Sequence, residues 1–305
     1  MATQAVEVPA KKQTLRERLD LGNGFAPYLL VLPTVIVILA VAGYPILNSF
    51  WLSLLDNPLS PSASFAGLQN FVKLFQSSTF VASIGSTFTF TIISVILETV
   101  LGLGVALLIN GMFPGRGLVR AAILVPWAFP TVISAEIWLL MYNDRTGIIS
   151  YFMQQLHILA PGATLLETSA GIVAASIITD VWKTTPFMAL LILAGLQVIP
   201  NELYEAASVD GSTKWQQFWT ITLPMITGPL IIALLFRTLA ALGVFDLYYV
   251  LAGNQVQSIA SYSYNYMFTR TTFDFVSGVA AAVVLFVMGV IISILFGILM
   301  RVTRQ

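Results

Sequence analysis

Long apolar runs separated by short polar stretches characterise the chain from about residue 26 onward. A helix needs about 20 mostly apolar residues to cross a membrane, and six runs reach that length. Their approximate bounds are residues 26–50, 81–111, 118–142, 170–199, 225–250 and 275–300. The pattern predicts an all-α membrane protein with six transmembrane helices, in which residues 25–305 form one membrane domain behind a polar tail of residues 1–24.

Prolines interrupt two of these runs. Pro126 and Pro130 each remove a backbone donor from the third run, so we expect its helix to kink or break there. Pro186 frees carbonyl groups of the preceding turn in the fourth run in the same way. Because irregular backbone at membrane depth is tolerated mainly where it lines a cavity, both places are candidates for a cavity wall.

The polar stretches between the runs carry turn-forming residues. Residues 65–71 are expected to form a turn with aromatic side chains at the membrane interface, and residues 143–169 to form turns around a short helix at 148–156. Residues 251–274 carry a run of tyrosines, which are Tyr262, Tyr264 and Tyr266. We expect this last stretch to be a solvated loop with tyrosines at the interface; for both loops, 143–169 and 251–274, a surface for a soluble partner outside the membrane is the alternative.

Composition narrows the class of protein. Hydrophobic residues make up 57% of the 305 residues and charged residues only 9%, whereas about a quarter of the residues of a soluble domain are charged. There is no cysteine and a single histidine, His157, so metal binding and histidine-based catalysis have little support. The sequence predicts no catalytic residue and no metal ligand.

Basic residues fall mainly on one side of the predicted topology. That side carries Lys11, Lys12, Arg16, Arg18, Arg116, Arg120, Lys214, Arg301 and Arg304. The other side carries Lys73, Arg145 and Arg270. Positively charged segments stay in the cytoplasm, so both termini are predicted to be cytoplasmic, in agreement with the even number of crossings. The first run is too long for a signal peptide and is expected to remain as a helix.

Residues 200–222, between the fourth and fifth runs, form a polar island in otherwise apolar sequence. Asn201 is a good N-cap for a short helix over residues 202–208. Gly211 can adopt the left-handed conformation that ends such a helix. The island is therefore predicted to begin with a short helix that stops at a glycine.

A second helix is predicted to follow within the same island. Ser212 or Thr213 can cap its first turn. Trp215, Phe218 and Trp219 are amphipathic aromatic residues of the kind found at the level of the lipid headgroups. The two helices are expected to lie flat on one face of the membrane.

The spacing inside the island matches a known motif. Glu-Ala-Ala at residues 205–207 is followed after three residues by Gly211, and after nine more by Ile-Thr-Leu-Pro at residues 221–224. This spacing resembles the EAA motif of ATP-binding-cassette importer permeases, whose coupling helix inserts into a groove on a separate ATPase subunit. The resemblance implies that residues 200–222 are a cytoplasmic coupling loop, and an amphipathic surface helix that anchors the loop is the alternative. The residues that would contact the ATPase are Glu205, Ala206, Ala207, Asp210 and Gly211.

Charged residues inside the apolar runs are costly and mark candidate functional positions. They are Glu98, Glu136, Asp180, Lys183, Arg237 and Asp246. Asp180 and Lys183 are three residues apart on one helical face and could simply pair with each other. Arg237 has no acidic residue one turn away, so it needs a partner from another helix or a polar solute. Glu98 and Glu136 are assigned to interhelical hydrogen bonds or subunit contact rather than to solute.

Polar and aromatic side chains are combined around Asp180 in the way that sugar binding requires. Sugars are held by hydrogen-bonding groups around their hydroxyls and by aromatic faces against their C–H surface. A suitable set consists of Asp180, Thr184, Thr185 and Arg237 next to Trp182 and Phe187. The sequence therefore favours a solute site at the middle of the fourth and fifth runs.

Four segments extend the resemblance to the carbohydrate branch of these permeases. Residues 65–71 and 125–130 resemble signatures of that branch, and residues 180–187 with 195–200 are similar to the stretch that holds substrate in maltose-type permeases. The resemblance implies a set of solute-facing residues on the fourth and fifth spans. They are Asp180, Lys183, Thr184 and Phe187 on the fourth span and Arg237, Ala240, Ala241 and Val244 on the fifth.

The chain departs from the maltose-type pattern at several of these positions. Ala241 and Val244 stand where hydrogen-bonding amides are expected, and Asp180 and Arg237 introduce charges. These differences disfavour maltose itself. The segments around Lys183 and Arg237 look closer to permeases for trehalose and related small glycosides.

The resemblance covers the chain from about residue 27 to residue 301 and implies the maltose-type fold of type I importers. It implies one transmembrane subunit of an ATP-driven importer for a disaccharide or small glycoside in the bacterial cytoplasmic membrane. The implied partners are a second permease subunit in a heterodimer, an ATPase dimer at the coupling loop, an extracytoplasmic solute-binding protein and membrane lipid, with no nucleic acid.

The chain itself is not expected to be an enzyme. It contains no G-x-x-x-x-G-K-[ST] phosphate loop, so ATP and Mg²⁺ would be bound by the partner ATPase and no cofactor by this chain. An ion-coupled secondary sugar transporter is one alternative, and it would use buried carboxylates such as Glu98, Glu136 or Asp180 for coupling. A membrane-embedded enzyme is another, but the scattered carboxylates offer no clustered acid–base set.

Overall fold

The computed structural model describes residues 26–269 and 271–303. These residues divide into two units, with the boundary between residues 51 and 52. The predicted tail of residues 1–24 lies outside the described residues. The same holds for the following basic residues of the topology prediction: Lys11, Lys12, Arg16, Arg18, Arg270 and Arg304.

The described part of the first unit is helical. It consists of α1 (Ala26–Ile38), a π-helical turn (Leu39–Gly43) and most of α2 (Tyr44–Ser53). Residues 28–42 are all exposed, and the stretch Tyr28–Ser53 has a mean hydropathy of 2.4. The first predicted span is therefore confirmed as a long apolar helix, with a surface that suits contact with lipid.

The second unit contains the remaining helices. In chain order they are α3 (Gln69–Gln76), α4 (Ser78–Asn110), α5 (Arg116–Ile123), α6 (Val125–Ala128), α7 (Thr131–Met141), α8 (Ile148–Gln155), α9 (Ser169–Leu196), α10 (Asn201–Val209), α11 (Lys214–Gln217), α12 (Leu223–Leu242), α13 (Asp246–Leu251), α14 (Ile259–Phe268) and α15 (Phe275–Val302). A 3₁₀ turn (Leu165–Glu167) precedes α9, and a π-helical turn (Phe218–Thr222) joins α11 to α12.

Five of the six predicted spans are helical stretches long and apolar enough to cross a membrane. Besides the first span they are α4, α9, the stretch Lys214–Leu251 and α15. The third predicted span differs, because it is divided into α5, α6 and α7. Phe129 and Pro130 have extended backbone, with ψ of 139° and 140°, and separate α6 from the 11-residue α7. The predicted break at the prolines is confirmed.

Glycines allow close contact between the helices at the centre of the bundle. A Cβ atom on Gly102 of α4 would lie 3.0 Å from Met188 Cγ and 3.1 Å from the Ala189 nitrogen of α9. A Cβ atom on Gly195 of α9 would lie 2.9 Å from Pro229 Cβ of α12. Only glycine permits such close approach of backbones, so α4, α9 and α12 form a tightly packed core.

The short elements between the spans are partly as predicted. α8 confirms the short helix predicted between the third and fourth spans. Gly67 has a φ of 58° and forms the predicted turn before α3. The Nδ2 group of Asn70 donates to the carbonyl oxygens of Ser53 and Leu55, each at 2.8 Å. This asparagine therefore ties the turn to the end of α2.

The predicted solvated loop at residues 251–274 is wrong, because α14 occupies its centre and packs against α15. Ser258 caps the first turn of α14. Ser263 Oγ donates to the Gly278 carbonyl oxygen at 2.8 Å, and Tyr262 is only 1% exposed. The hydroxyl of Ser263, one of the polar groups that favoured a loop here, is thus satisfied by a hydrogen bond within a packed helix pair.

Candidate functional site

A buried cluster of charged side chains lies where α4, α9 and α12 meet. Arg237 of α12 is 5% exposed and donates hydrogen bonds to Glu98 of α4 and Asp180 of α9. Its Nη2 atom lies 2.8 Å from Glu98 Oε1, and Nε donates to Oε2, so the guanidinium holds both oxygens of this fully buried carboxylate. One arginine therefore links three helices.

Lys183, one turn after Asp180, completes the charge balance of this ion cluster. With all groups ionised, Glu98 and Asp180 carry two negative charges and Arg237 one positive charge, so Lys183 brings the sum to zero. Its ammonium interacts electrostatically with Asp180, Arg237 and Asp246. Within the described part of the chain this ammonium forms no hydrogen bond and no ion pair closer than 4 Å. It is therefore free to donate to another group.

The contacts of the ion cluster decide between alternatives that the sequence left open. Asp180 pairs with Arg237, and the described residues show no ion pair between Asp180 and Lys183. Arg237 takes its partners from two other helices. Glu98 forms the interhelical hydrogen bonds predicted for it. Glu136 is exposed on α7, and the roles predicted for it stay predictions.

Thr184 and Ala241 were also predicted to face solute, and they differ in their surroundings: Thr184 contacts the ion cluster, and Ala241 packs among apolar side chains. Thr184 Oγ1 lies 2.5 Å from Glu98 Oε1 and 2.5 Å from the Asp180 carbonyl oxygen. Ala241 is 1% exposed and packs in a hydrophobic cluster with Tyr248. Ala241 is thus covered in this arrangement, and its contact with solute stays a prediction.

The break in the third predicted span brings aromatic rings to α9. Phe187, one turn after Lys183, stacks on Trp127 of α6, with ring centroids 5.1 Å apart and planes at 8°. Trp182 lies 5.6 Å from Trp138 of α7. Trp127 and Trp182 remain 44% and 40% exposed, so part of each ring is accessible. The sequence indicated Phe187 and Trp182 but not Trp127, because the position of Trp127 depends on how the span breaks.

Two cavities lie toward opposite ends of the bundle. One, of about 480 Å³, is lined by the first turns of α4 and α9 and includes Ser86 and Gln257. The other, of about 800 Å³, is lined by the C-terminal ends of the same two helices and includes Asn110 and Arg120. Glu98 is twelve residues from both Ser86 and Asn110, which corresponds to about 18 Å of helix in each direction. The ion cluster therefore lies midway between the cavities.

The predicted coupling residues lie on α10 and in the turn that follows it. Tyr204 of this helix is partly buried, and its hydroxyl lies 3.0 Å from Thr222 Oγ1. Gln217 Nε2 donates to Ser208 Oγ at 2.9 Å. These hydrogen bonds fix α10 to the start of the fifth span. The residues left exposed are Glu205, Ala206, Asp210 and Gly211, and Ala207 is half-buried.

The C-terminal end of α10 is as predicted from the sequence, whereas its N-terminal cap is not. Pro200 is the N-cap, with ψ of 135°, and Asn201 is the first helical residue, so the predicted cap is wrong. The proline starts the helix one residue earlier, because its ring fixes φ and it cannot continue α9. Gly211 has a φ of 84° and ends the helix as predicted. Thr213 forms a capping box with Gln216 and starts α11, also as predicted.

The second helix of the island is not a separate element. α11 continues through the π-helical turn into α12, so that Lys214–Leu251 forms one long stretch. Pro224 cannot supply the backbone N–H of a regular turn, which accounts for the widened helix before it. Trp215, Phe218 and Trp219 pack on one another with ring centroids 5.1 to 6.0 Å apart. The predicted flat helix pair is therefore corrected to a helix joined directly to the fifth span.

Comparison with known proteins identifies relatives along most of the chain. The chain is 44% identical over 244 residues to the trehalose/maltose transport system permease protein MalF of Thermococcus litoralis, which covers 78% of this chain and 82% of that protein. It is 37% identical over 273 residues to the trehalose transport system permease protein SugA of Mycobacterium tuberculosis, which covers 88% of this chain and 86% of that protein.

A solved structure and a family model agree with these relatives. The fold is similar to that of a chain in the crystal structure of a bacterial ABC transporter involved in the import of the acidic polysaccharide alginate, with a TM-score of 0.75 and 24% identity over 94% of this chain and 98% of that chain. This likeness confirms the predicted fold. Residues 98–305 match the family model of the binding-protein-dependent transport system inner membrane component. The chain therefore belongs to this family of multi-pass inner-membrane components of ABC transporters.

Proposed function

We propose that the chain is one transmembrane subunit of an ATP-driven importer for a disaccharide or small glycoside of the trehalose type. The observation that carries the proposal is the coupling loop. α10 exposes Glu205 and Gly211, while Tyr204 and Gln217 fix it to the helix that carries Arg237. A partner that moves α10 would therefore move α12 as well. The names of two relatives, both of which mention trehalose, support the solute class.

The other components of the importer would be separate chains. A second permease subunit would complete the pathway across the membrane, and an ATPase dimer would bind residues 200–222. A solute-binding protein would deliver the solute on the opposite side. ATP and Mg²⁺ would be held by the ATPase, and this chain would bind no cofactor. On the predicted orientation, both termini and the coupling loop lie in the cytoplasm.

The geometry offers a route from the coupling loop to the ion cluster. Closure of the ATPase dimer would displace α10, and α10 is hydrogen-bonded to the start of the fifth span. Arg237 lies on that span and bonds to α4 and α9. Movement of α12 against its neighbours would have to break or rearrange these bonds. The site midway between the cavities would then open to one side and afterwards to the other, as in alternating access.

Solute recognition would use groups around the cluster that have spare hydrogen-bonding capacity. The ammonium of Lys183 is free to donate within the described structure, as is Nη1 of Arg237, since Glu98 and Asp180 bind its Nε and Nη2. Asp180 and Thr184 supply acceptor oxygens, and Phe187 offers an aromatic surface for the C–H side of a sugar ring. Movement of α12 would also uncover Ala241.

A second candidate function is ion-coupled secondary transport of a sugar. The buried carboxylates of Glu98 and Asp180 favour it, because such groups can carry coupling protons. Both carboxylates bind Arg237, however, and the family of this chain works with ATP-driven partners. Uptake by vesicles that is abolished by an ionophore and unaffected by loss of ATP would favour the secondary transporter.

The proposed function is tested with the complex reconstituted in proteoliposomes from its neighbouring gene products. We expect the ATPase activity to rise when trehalose or a related glycoside is added with the binding protein. The variant Glu205→Lys should lose this stimulation together with sugar uptake, because a positive charge then faces the basic groups expected on the ATPase. Asp144→Lys, a change of equal charge at an exposed residue between α7 and α8, outside the coupling loop, is the matched control.

The outcomes of this test separate the solute class from the coupling role. Normal uptake by the Glu205→Lys complex would contradict the coupling role of α10. A wild-type complex that assembles but responds to no sugar would contradict the carbohydrate assignment.

A further inference from the structure

Four aromatic side chains form a row along α13 and α14, at the outer end of the bundle on the predicted orientation. Phe245 lies 5.3 Å from Tyr249 and 5.0 Å from Tyr264, measured between ring centroids. Tyr249 and Tyr264 are 5.6 Å apart. Tyr264 is in turn 5.3 Å from Phe268. We refer to these four residues as the aromatic row.

The aromatic row is accessible although its members touch each other. Tyr249 is 49% exposed, Tyr264 is 37% exposed and Phe268 is 64% exposed. The hydroxyls of Tyr249 and Tyr264 make no hydrogen bond to any residue that the structure describes. Tyr248 is the opposite case, because it is buried and its hydroxyl donates to the Ser86 carbonyl oxygen at 3.2 Å. The row therefore exposes aromatic ring surface together with the hydroxyls of Tyr249 and Tyr264, which have no partner among the described residues.

The position of the aromatic row connects it to the ion cluster. Phe245 is followed directly by Asp246 at the start of α13, and α13 packs against α9, the helix that carries Lys183. Lys183 is one turn from Asp180, which binds Arg237. The row thus extends from the end of the bundle toward the buried charges. On the predicted orientation this end faces the compartment from which a binding protein would deliver solute.

We infer that the aromatic row binds the sugar on its way to the ion cluster. Sugar rings have C–H groups that pack on aromatic faces, and hydroxyls that Tyr249 and Tyr264 can bind through their own hydroxyls. Successive rings about 5 Å apart allow a sugar to move from one contact to the next without losing all contacts at once. This inference rests on the proposed function and adds an outer binding site for the same solute.

Two other occupants of the aromatic row are possible and are separated by experiment. Tyrosines also gather at membrane interfaces, where they contact lipid headgroups. An exposed aromatic patch can also receive a soluble protein. The sugar is favoured because the row adjoins α13, which begins with the charged Asp246 and packs on the helix of Lys183, and charged groups do not stabilise lipid tails.

The test compares variants of the reconstituted complex at the concentration of sugar-loaded binding protein that saturates the wild-type complex, and at higher concentrations. The variant Tyr249→Leu/Tyr264→Leu keeps apolar bulk but removes both rings and both hydroxyls. Tyr249→Phe/Tyr264→Phe keeps the rings. Tyr151→Leu is the matched control. Tyr151 lies on α8, not in the aromatic row; it is 58% exposed, and its ring centroid is 5.7 Å from that of Phe152. The measured quantity is sugar imported per ATP hydrolysed.

We expect this ratio to fall about threefold to tenfold in the double leucine variant, the size of one or two lost aromatic contacts. ATP hydrolysis should continue, since the binding protein and the coupling loop are intact. The ratio of sugar imported to ATP hydrolysed should fall less in the double phenylalanine variant, and in the control it should equal that of the wild type. Thermal unfolding of each complex checks that the variants are folded.

Three results would overturn the inference. An unchanged ratio in the double leucine variant, with uptake and ATP hydrolysis both at wild-type rates, would assign the row to the lipid interface. A parallel loss of uptake and ATP hydrolysis that is recovered with more binding protein would assign the row to protein docking. A wild-type complex that no sugar stimulates would remove the proposed function and the sugar site with it, whereas the first two results leave the proposed function intact.

Discussion

Arg237 shows how a single residue can determine the arrangement of three spans. A guanidinium at mid-bundle is costly unless it is paired, and here it holds Glu98 and Asp180 together. A buried ion pair is weak evidence for stability on its own, but breaking one side of it leaves uncompensated charge. The cluster therefore makes the packing of α4, α9 and α12 depend on one side chain.

Replacing Arg237 by leucine is expected to destabilise the protein by about 3–5 kcal/mol, because two buried carboxylates then lose their partner. The change is measured as a lower midpoint of thermal or denaturant unfolding of the purified complex in detergent. Transport should be lost as well.

The double variant Arg237→Leu/Glu98→Gln tests whether uncompensated charge causes the loss of stability in Arg237→Leu. It leaves Asp180 and Lys183 as an opposite pair three residues apart, so the buried charges balance again. We expect this variant to be more stable than Arg237→Leu alone. Equal stability of the two would show that the shape of Arg237 matters and its charge does not.

The sequence predicted part of this residue-level picture. It indicated that Arg237 lacks a local partner and that Glu98 forms interhelical hydrogen bonds. It could not show that these two belong together, because they are 139 residues apart and nothing in a single sequence encodes such a pairing. The electrostatic interaction of Lys183 with Asp246 was missed for the same reason.

At the scale of elements, α10 depends on how it ends. Gly211 has a φ of 84°, a conformation that is unfavourable for residues with a Cβ atom. The exposed end of α10 therefore requires glycine for backbone reasons, although a Cβ atom there would meet no other atom within 4 Å.

We expect coupling between ATP hydrolysis and uptake to decrease in the order wild type, Gly211→Asn, Gly211→Ala and Gly211→Val. Asparagine tolerates the left-handed conformation, alanine costs about 1 kcal/mol, and a β-branched residue costs more. The measurement is sugar uptake per ATP hydrolysed. Gly297→Ala on α15, where a Cβ atom also meets nothing within 4 Å, is the control. Equal coupling in all four proteins would contradict a role for the turn.

The contact between α4 and α9 supplies a second element-level prediction. Gly102→Val should destabilise the complex by about 1–3 kcal/mol, because the new side chain overlaps Met188 and the Ala189 backbone. Gly104→Val should be nearly neutral, because Gly104, two residues later on the same helix, is exposed and a Cβ atom there meets nothing within 4 Å. The measurement is the midpoint of thermal unfolding, which should be lower for Gly102→Val than for Gly104→Val. Equal midpoints would contradict the close packing of α4 on α9.

Elements were predicted best where hydropathy or proline decides them. The long spans and the break at Pro126 and Pro130 follow from the pattern of apolar residues and from missing backbone donors. α14 was missed because its buried face contains polar side chains such as Ser263, whose hydroxyl is satisfied by a tertiary hydrogen bond to Gly278. The start of α10 was misplaced because a proline cap competes with an asparagine cap one residue later.

At the scale of the whole molecule, the outer surface of the bundle is not uniformly apolar. α7 exposes Ile133, Ile137 and Leu140, with 49%, 41% and 71% of their surfaces accessible. Glu136 lies among them and is exposed as well. A charged side chain at the centre of a spanning helix costs about 2.5–3.5 kcal/mol in lipid. This helix face is therefore suited to the second permease subunit, as the sequence predicted for Glu136.

The exposed carboxylate of Glu136 has a consequence for the life of the protein in the cell. A copy without a partner subunit holds this charge against lipid, and we expect membrane proteases to remove it faster than assembled copies. Pulse-chase labelling should give a short half-life for the chain expressed alone, and a longer one after co-expression of the second permease. Glu136→Leu should lengthen the half-life of the lone chain only. Glu136 would then help to keep the amounts of this chain and of the second permease equal, because copies of this chain in excess of the partner are degraded.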